Sequence, residues 1–524
     1  MSEFQNDRWE LPNTWQWVGI GEIADVIGGG TPSTINAGNF GGDIPWITPA
    51  DMSAHVGKTI ANGARLISAK GLEGSGARWL PKGSVLFSSR APIGYVAIAS
   101  QPVTTNQGFK SFVPAKGCDS DYLYYWLTSA KPLAEKLASG TTFLEISGAK
   151  AALIPFPVAP AAEQTRIVAK LEELLSDLDA GVAELKAAQK KLGQYRQSLL
   201  KAAVEGALTA DWRAAQHAGP AGKTNKVAPA ESGAALLARI LTERRSRWET
   251  RQLAKFQAQG KPPPKDWQSK YPAPVAPETT GLPALPAGWV WATVDQLAHV
   301  GTGVTPLRSK IAYFDGGTIP WVTSGALNSE TVNSANEQVT TFAVEQCRLE
   351  LYPAGSLLLA MYGEGKTRGK CAELLIAATI NQAIAAIVLG PSAQGCKAYL
   401  KAFLLKSYEK MREQASGGVQ PNLNLQIVKS IYFPLPPLDE QTEINRTLCV
   451  RFEQLNQQRV ALEISLKQSA AQRKNILQAA FSGQLVPQDP ADEPASALLA
   501  RIRAERAARE TGAARGRGKK KGAA

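Results

Sequence analysis

EQTRIVAKLEELLSDLDAGVAELKAAQKKLGQYRQSLLKAAVEGALT, residues 163–209, and EQTEINRTLCVRFEQLNQQRVALEISLKQSAAQRKNILQAAFSGQLV, residues 440–486, align without a gap. The offset is 277 (440 − 163). In the first copy Leu171, Leu178, Leu185, Leu192 and Leu199 recur every seven residues. The interleaved row, four before and three after each leucine, is Ile167, Leu174, Gly181, Ala188 and Tyr195. A 4-3 alternation held over several heptads is the a/d pattern of a coiled coil. The second copy keeps Leu448, Leu455, Leu462 and Ile476, with Ser469 breaking the row. Its other row holds Ile444, then Arg451, Gln458, Ser465 and Gln472. About 40 helical residues make a rod roughly 60 Å long. One half-apolar stripe per rod needs a partner, and the other copy supplies it. Side chains off these rows, around Leu175, Val182 and Phe452, then face outward and are free to hold a partner protein.

The repetition extends outward from the rods. Leu11-Pro12, Trp15 and Trp17 return as Leu285-Pro286, Trp289 and Trp291, and Pro45-Trp46-Ile47-Thr48 as Pro320-Trp321-Val322-Thr323. Pro81, Gly83 and Ser84 answer Pro353, Gly355 and Ser356, and Asn106-Gln107 answers Asn381-Gln382. The Pro-rich exits at 155–160 and 434–437 cannot be helix interior and mark where each globular part becomes rod. Internal repetition of this extent outranks any single motif. The chain reads as a tandem duplication.

The boundaries expected are a first globular part at 1–160, a long helix at 161–208 and a connector at 209–284. A second globular part at 285–437, a second long helix at 438–485 and a terminal segment at 486–524 follow. Short β-rich runs such as SVLFSS and SLLLAMY, followed by DYLYYWLTSAKPL or KAYLKAFLLKSY, predict an irregular α/β unit in each half. The fold class is therefore α+β: two tandem α/β domains joined by two long helices in an antiparallel coiled coil, with pseudo-two-fold symmetry. The connector predicts a short helix, ESGAALLARILTERRSRWE, which LLARIRAERAARE repeats near residue 500, and then a Pro-rich extended spacer. The final RGRGKKKGAA reads as a disordered basic tail.

A length of 524 residues exceeds one core. With 58 Lys and Arg against 45 Asp and Glu, the net charge is +13, which favours an anionic partner and nucleic acid first. The start, MSEFQNDRWE, is polar and no secretory signal, and LLIAATINQAIAAIVL is broken by Thr379, Asn381 and Gln382 before it could span a membrane. Five scattered cysteines form no CxxC pair and fit reduced thiols in a cytoplasmic protein, with no metal site. Three histidines, at 55, 217 and 299, lack partner spacing for metal or nucleophile chemistry.

Two motifs are decoys. MYGEGKTRGK, residues 361–370, imitates a phosphate-binding loop, but Ala360 stands where that loop needs its first glycine. Gly28-Gly29-Gly30 before Thr-Pro reads as a plain turn rather than a phosphate cradle. With no Asp/Asn-Pro-Pro-aromatic tetrad and no Ser/His/Asp or Cys/His arrangement, the residues argue against catalysis.

The Trp-Val opening, TPS, GGDIPWIT, KGSVLFSSRAPIGYVAI, TTNQGFK, the IPFPVAPxxEQxxIV exit and LLKAAVEGALTADWR together resemble the specificity subunit of Type I restriction-modification systems. The resemblance covers nearly all of residues 11–510, in both halves. It implies that each globular part is a target-recognition domain for double-stranded DNA, and that the long helices dock methyltransferase subunits. Two modification and two restriction subunits would complete the complex. No cofactor would be bound by this chain; S-adenosylmethionine, ATP and Mg would be used by the partners. MYGEGKTRGK replaces SSRAPIGYVA in the second half, which leaves the target open and not the role.

Two readers about 60 Å apart would engage half-sites one to two DNA turns apart. Because the halves differ in sequence, the target should be bipartite and asymmetric. Phosphate and base contacts call for Lys and Arg. The candidates are Lys58, Arg65, Lys70, Arg78 and Arg90 in the first half, and Arg308, Lys310, Lys366, Arg368 and Lys370 in the second. Asn106-Gln107 and Asn381-Gln382 recur in domains that read different bases, so their role is structural. On the residues alone, a freestanding DNA-bridging protein and an enzyme with a divergent active site stay open as alternatives.

Overall fold

Each half opens on a strand that pairs with the strand leaving it. β1 (Gln16–Gly19) runs antiparallel to β10 (Pro155–Val158), and β11 (Val290–Thr293) to β20 (Tyr432–Leu435). The computed structural model describes residues 9–90, 92–140, 144–218, 231–362, 367–408, 411 and 423–521. The chain divides into two compact units. The first is Met1–Ala187 with Leu462–Ala524, and the second is Ala188–Ala461. Each contains one α/β domain, the first part of one long helix and the last part of the other.

In the first unit β2 (Ala24–Gly28), β9 (Lys110–Pro114), β6 (Val85–Ser89), β7 (Ile93–Ala99) and β4 (Thr59–Ile60) form a sheet in that order, with β4 parallel to β7 and the other pairs antiparallel. A smaller sheet has the order β5 (Arg65–Ile67), β3 (Phe40–Ile47), β8 (Thr104–Thr105). The second unit repeats both topologies. Its larger sheet is β12 (Ala298–Thr302), β19 (Ile384–Leu389), β16 (Leu357–Ala360), β17 (Cys371–Leu374), β14 (Thr331–Val332). Its smaller sheet is β15 (Glu337–Val339), β13 (Ile319–Val322), β18 (Thr379–Ile380).

One helix covers each larger sheet. Asp119 caps the first, its carboxylate accepting from the amides of Asp121 at 2.7 Å and Tyr122 at 3.2 Å. Tyr122, Leu123, Trp126 and Leu127 are buried, the i, i+1, i+4, i+5 stripe of a helix lying on a sheet. Tyr399, Leu400, Phe403 and Leu404 do the same in the second unit.

The repeated motifs are accounted for by hydrogen bonds that hold this scaffold. Trp46 Nε1 donates to the Gly30 carbonyl at 3.0 Å, and Trp321 Nε1 to that of Val304 at 3.2 Å. Thr104 and Thr379 donate to the carbonyls of Pro45 and Pro320, and Ser84 and Ser356 to those of Pro81 and Pro353. Asn106 Oδ1 accepts from the Gly108 amide and Asn381 Oδ1 from that of Ala383, while Thr31 and Thr305 donate to Gln107 and Gln382. Asn106 and Asn381 thus hold the same turn in both units, while Gln107 and Gln382 are exposed. Gly29 and Gly30 lie at a close crossing of backbones rather than in a plain turn. A Cβ on Gly29 would stand 2.0 Å from the Asn106 carbonyl oxygen, and one on Gly30 2.2 Å from the Ala77 nitrogen.

The Glu-Gln pair that starts each rod ties it to its domain. Glu163 accepts a buried hydrogen bond from Trp15 Nε1 at 2.9 Å, and Glu440 one from Trp289 Nε1 at 2.7 Å. Gln164 Nε2 donates to the Ala159 carbonyl and Gln441 Nε2 to that of Pro436, closing the Pro-rich exits. Arg213 adds an ion pair to Glu440, and Gln488 a hydrogen bond to Glu163.

The long helices span Ala161–Val204 and Leu438–Phe481. Within each unit they run antiparallel. In the first unit Asp179 pairs with Arg473, and Leu171 and Leu175 share a core with Leu477 and Phe481. In the second, Arg196 lies 4.8 Å over the Phe452 ring, and Leu199 shares a core with Leu448 and Leu455. Among the seven-residue rows, Leu171, Leu199, Leu448 and Leu455 are buried and Leu178, Leu185, Leu192, Leu462 and Ile476 half-buried.

The interleaved row differs from the expectation over part of its length. The seam takes the side chains three before and four after each leucine: Val168, Leu175, Val182, Arg196 and Ala203 in the first helix, and Phe452, Leu466, Arg473 and Ala480 in the second. Of the row expected inside, Ile167 and Ile444 are buried and Leu174, Ala188 and Ser465 half-buried, whereas Tyr195 is 48% exposed and Gly181, Arg451, Gln458 and Gln472 are exposed. Leu175, only 5% exposed, cannot belong to a free outer face, and neither can Phe452 beneath Arg196. Both frames satisfy a 4-3 alternation, and the packing partner selects between them.

A helix downstream of each rod docks on the α/β domain of the unit where that rod ends. Gly233–Ala258 buries Leu236, Leu237 and Ile240, and Ala495–Lys521 buries Leu498, Leu499 and Ile502, at a constant offset of 262 (498 − 236). The second helix continues through the basic stretch that was expected to be disordered, as far as Lys521. Its Ala-, Arg- and Lys-rich composition favours helix. The Pro-rich spacer is held on its unit by stacking of Trp267 on Trp248, with centroids 5.7 Å apart, and by Thr293 donating to the Val275 carbonyl at 2.6 Å.

Candidate nucleic-acid interface

The smaller sheet of each unit encloses a small apolar core whose rim carries cations. In the first unit this core is Ile44, Trp46, Ile67 and Ala77, with Phe40 and Leu72 packed against it. Arg65 on β5 places its guanidinium 4.2 Å from the Phe40 ring centroid, a cation–π contact. Lys70, on the short helix Ala69–Glu73, and Arg78 are exposed at the same rim. In the second unit the core is Tyr313, Trp321, Val339, Ala343 and Leu349. Arg308 lies 5.7 Å over Phe314 and 5.6 Å over Trp321, and Lys310 4.4 Å over Tyr313.

The two rims place a guanidinium over the corresponding ring by different routes. Arg65 is registered opposite Trp46, and Glu337 is registered opposite Trp321, so a base and an acid stand at one ladder position. Glu337 instead holds Arg308, which approaches from the Thr-Pro loop.

A second locus lies where β6 turns into β7 and β16 into β17. Arg90 is half-buried there, with Nη1 3.5 Å from Glu145. Arg368 is half-buried, and Lys370 Nζ donates to Asn328 Oδ1 at 2.7 Å. Lys366 lies outside the described residues.

Lys58 is placed elsewhere. It precedes β4 at the edge of the larger sheet and forms ion pairs with Asp121 and with Glu172 of the long helix. Burial alone would lower its pKa, but those two carboxylates outweigh it and hold the ammonium well above its ordinary value. Its counterpart is Glu330, which precedes β14 and pairs with Arg196 of the rod in its own unit. The same position ties domain to rod in both units, with the charges exchanged.

Exposed apolar side chains flank the rims and were missed from the sequence. Trp79, beside Arg78, is 47% exposed; Ile35 in the first Thr-Pro loop and Leu307 and Ile311 in the second are exposed as well. The signal available was the Thr-Pro pair itself, which recurs while the residues after it do not.

The chemistry elsewhere is quiet. Among the described residues no group of His, Cys, Asp and Glu could hold a metal ion, and no helix is long and apolar enough to cross a membrane. Burial pushes the thiols of Cys118 and Cys371 up to about 12 and that of Cys396 to about 11, so all three stay protonated near neutrality.

Two copies of one scaffold, differing at the cationic rim, agree with the family comparison. A family model described as "Type I restriction modification DNA specificity domain" matches residues 12–187 and again 286–463, about two thirds of the chain. The chain belongs to this family.

Each specificity domain so matched includes the α/β domain and the first part of its rod. The MjaIX specificity subunit of Methanocaldococcus jannaschii is 42% identical over 170 residues, 32% of this chain and 39% of that protein. The EcoDI specificity subunit of Escherichia coli is 24% identical over 514 residues, 95% of this chain and 97% of that protein. A solved chain described as "Structural basis underlying complex assembly and conformational transition of the type I R-M system" shares the fold. Its TM-score is 0.63 at 18% identity, covering 91% of this chain and all of that one.

Proposed function

We propose that this specificity-domain protein is the non-catalytic DNA-reading subunit of a Type I restriction-modification complex in the cytoplasm. Each α/β domain reads one half of an asymmetric, bipartite site in double-stranded DNA. The paired rods set the spacing and dock methyltransferase subunits, and restriction subunits complete the assembly. S-adenosylmethionine, ATP and Mg act in those partners, and this chain binds none of them. With Leu175 and Phe452 committed to the seam, the apolar side chains that the rods leave exposed for docking are Tyr195, Val450, Val460 and Ile464.

The observation that carries the reading is the contrast between the shared scaffold hydrogen bonds and the unlike rims, Arg65 with Lys70 and Arg78 against Arg308 with Lys310. Guanidinium groups beside exposed apolar side chains suit phosphate contact together with base-edge or stacking contact. The test is co-expression with the modification subunit followed by methylation mapping. One split, asymmetric motif that disappears when this chain is deleted is the expected result. Methylation that is unchanged by the deletion overturns the reading.

A further inference from the structure

In the first unit Trp9 sits in a cradle of three aromatic residues. Its ring centroid lies 5.2 Å from that of Trp17 and 6.1 Å from that of Trp126, both edge-on. Trp126 in turn meets Phe481 at 5.1 Å. Trp9 Nε1 donates to the Phe481 carbonyl at 3.1 Å, and the Trp9 carbonyl accepts from Trp17 Nε1 at 3.2 Å. An indole ring thus closes the end of the second rod against the domain.

The internal repeat locates the same cradle in the second unit. Trp17 corresponds to Trp291 at offset 274 (291 − 17), and Trp126 and Phe481 correspond to Phe403 and Val204 at offset 277 (403 − 126, 481 − 204). At offset 274 the counterpart of Trp9 is Pro283. Two indoles and a phenyl ring are replaced by a pyrrolidine, a phenyl ring and an isopropyl group. Pro283, Trp291, Phe403 and Val204 line a cavity of about 460 Å³ there. Glu205, Lys406, Ser407, Ser430 and Tyr432 also line it, with Tyr432 edge-on to Trp291 at a centroid distance of 5.7 Å. A volume of this size, with walls more apolar than polar, falls within the range of ligand sites.

We propose that this cavity receives an indole side chain presented by a modification subunit, an assignment that rests on the function proposed above. The cradle already takes an indole where the chain supplies one, and the counterpart of its carbonyl acceptor is that of Val204. A protein partner, rather than a free aromatic molecule, fits the rim. Tyr432 and Ile427, 41% and 37% exposed, line the mouth and need cover that a single ring does not give. A tryptophan anchored in a pocket and surrounded by apolar contacts is the usual form of an interface hot spot.

The full chain is titrated with N-acetyl-tryptophanamide by ligand-observed NMR, and its association with the modification subunit is measured alongside. Pro283→Trp supplies the missing ring from within, and Val204→Phe independently restores the floor; a melting temperature at or above that of the parent shows that each is folded. The proposal expects saturable probe binding by the parent, a loss of tenfold or more in both variants, and association weakened by tenfold or more. No probe binding by the parent overturns it, and so does probe binding with association unchanged in the variants. Neither result alters the methylation map on which the DNA-reading role depends, so the two failures are distinguishable.

Discussion

Arg308 clamps Glu337 through two parallel hydrogen bonds, Nη1 to Oε2 at 2.7 Å and Nη2 to Oε1 at 2.9 Å. The carboxylate fixes a guanidinium over Phe314 and Trp321, where the other domain holds Arg65 over Phe40. If these are the base- and phosphate-contacting groups, each belongs to one half-site. Arg308→Ala and Arg65→Ala should each weaken binding of the cognate duplex by about tenfold to hundredfold, each relaxing a different half of the motif. Methylation mapping and fluorescence anisotropy check this. Loss of the same half in both variants would contradict it.

Lys58 should behave unlike Lys70. Its two carboxylate partners neutralise it, so Lys58→Ala leaves the dependence of DNA binding on salt unchanged and lowers stability by about 1 kcal/mol or less. Lys70→Ala, at the exposed rim, should reduce the slope of log K against log salt by about 1 if Lys70 meets a phosphate. Binding isotherms at several salt concentrations distinguish the two.

The frame of the seam is tested by truncation. Leu175→Ala should cost about 2–5 kcal/mol because the side chain is fully packed. Tyr195→Ala, on the row that the heptad reading had placed inside, should stay within about 1 kcal/mol. Urea denaturation midpoints decide; equal costs would restore the other frame.

The buried Trp-to-Glu bonds should anchor each rod. Trp289→Phe keeps the ring packing and removes one hydrogen bond to the Glu440 carboxylate, a loss of about 1.5–3 kcal/mol. Trp15→Phe should act similarly through Glu163. Hydrogen exchange at the first turns of the two rods reads the effect locally, and unchanged protection would show the bonds to be dispensable.

Glu373 gives the second unit a pH dependence. Burial raises its carboxyl pKa, but hydrogen bonds and charge from Lys397 and Lys401 outweigh this and bring it below the ordinary value. A depressed folded-state pKa means stability fully present above the ordinary carboxylate pKa, about 4.3, and lost as pH falls through the lower folded value. Melting temperature should therefore drop on acidification below about pH 4.3 more steeply in the parent than in Glu373→Gln. Equal slopes would remove Glu373 from the account.

The tandem organisation, the two rods and the leucine rows were determined by the sequence alone, because repetition and seven-residue spacing are properties of one strand of text. So was the recurrence of Asn106-Gln107 as Asn381-Gln382. Tertiary structure decided what depends on residues far apart in the chain. Which interleaved row enters the seam depends on the facing helix, since Leu174 and Leu175 are equally apolar until one meets a partner. Whether a lysine is free for DNA depends on carboxylates such as Glu172, which folding brings to Lys58 from 114 positions away. The empty counterpart of the Trp9 cradle depends on three elements shrinking together around one point. Local pattern carries periodicity; only packing carries complementarity.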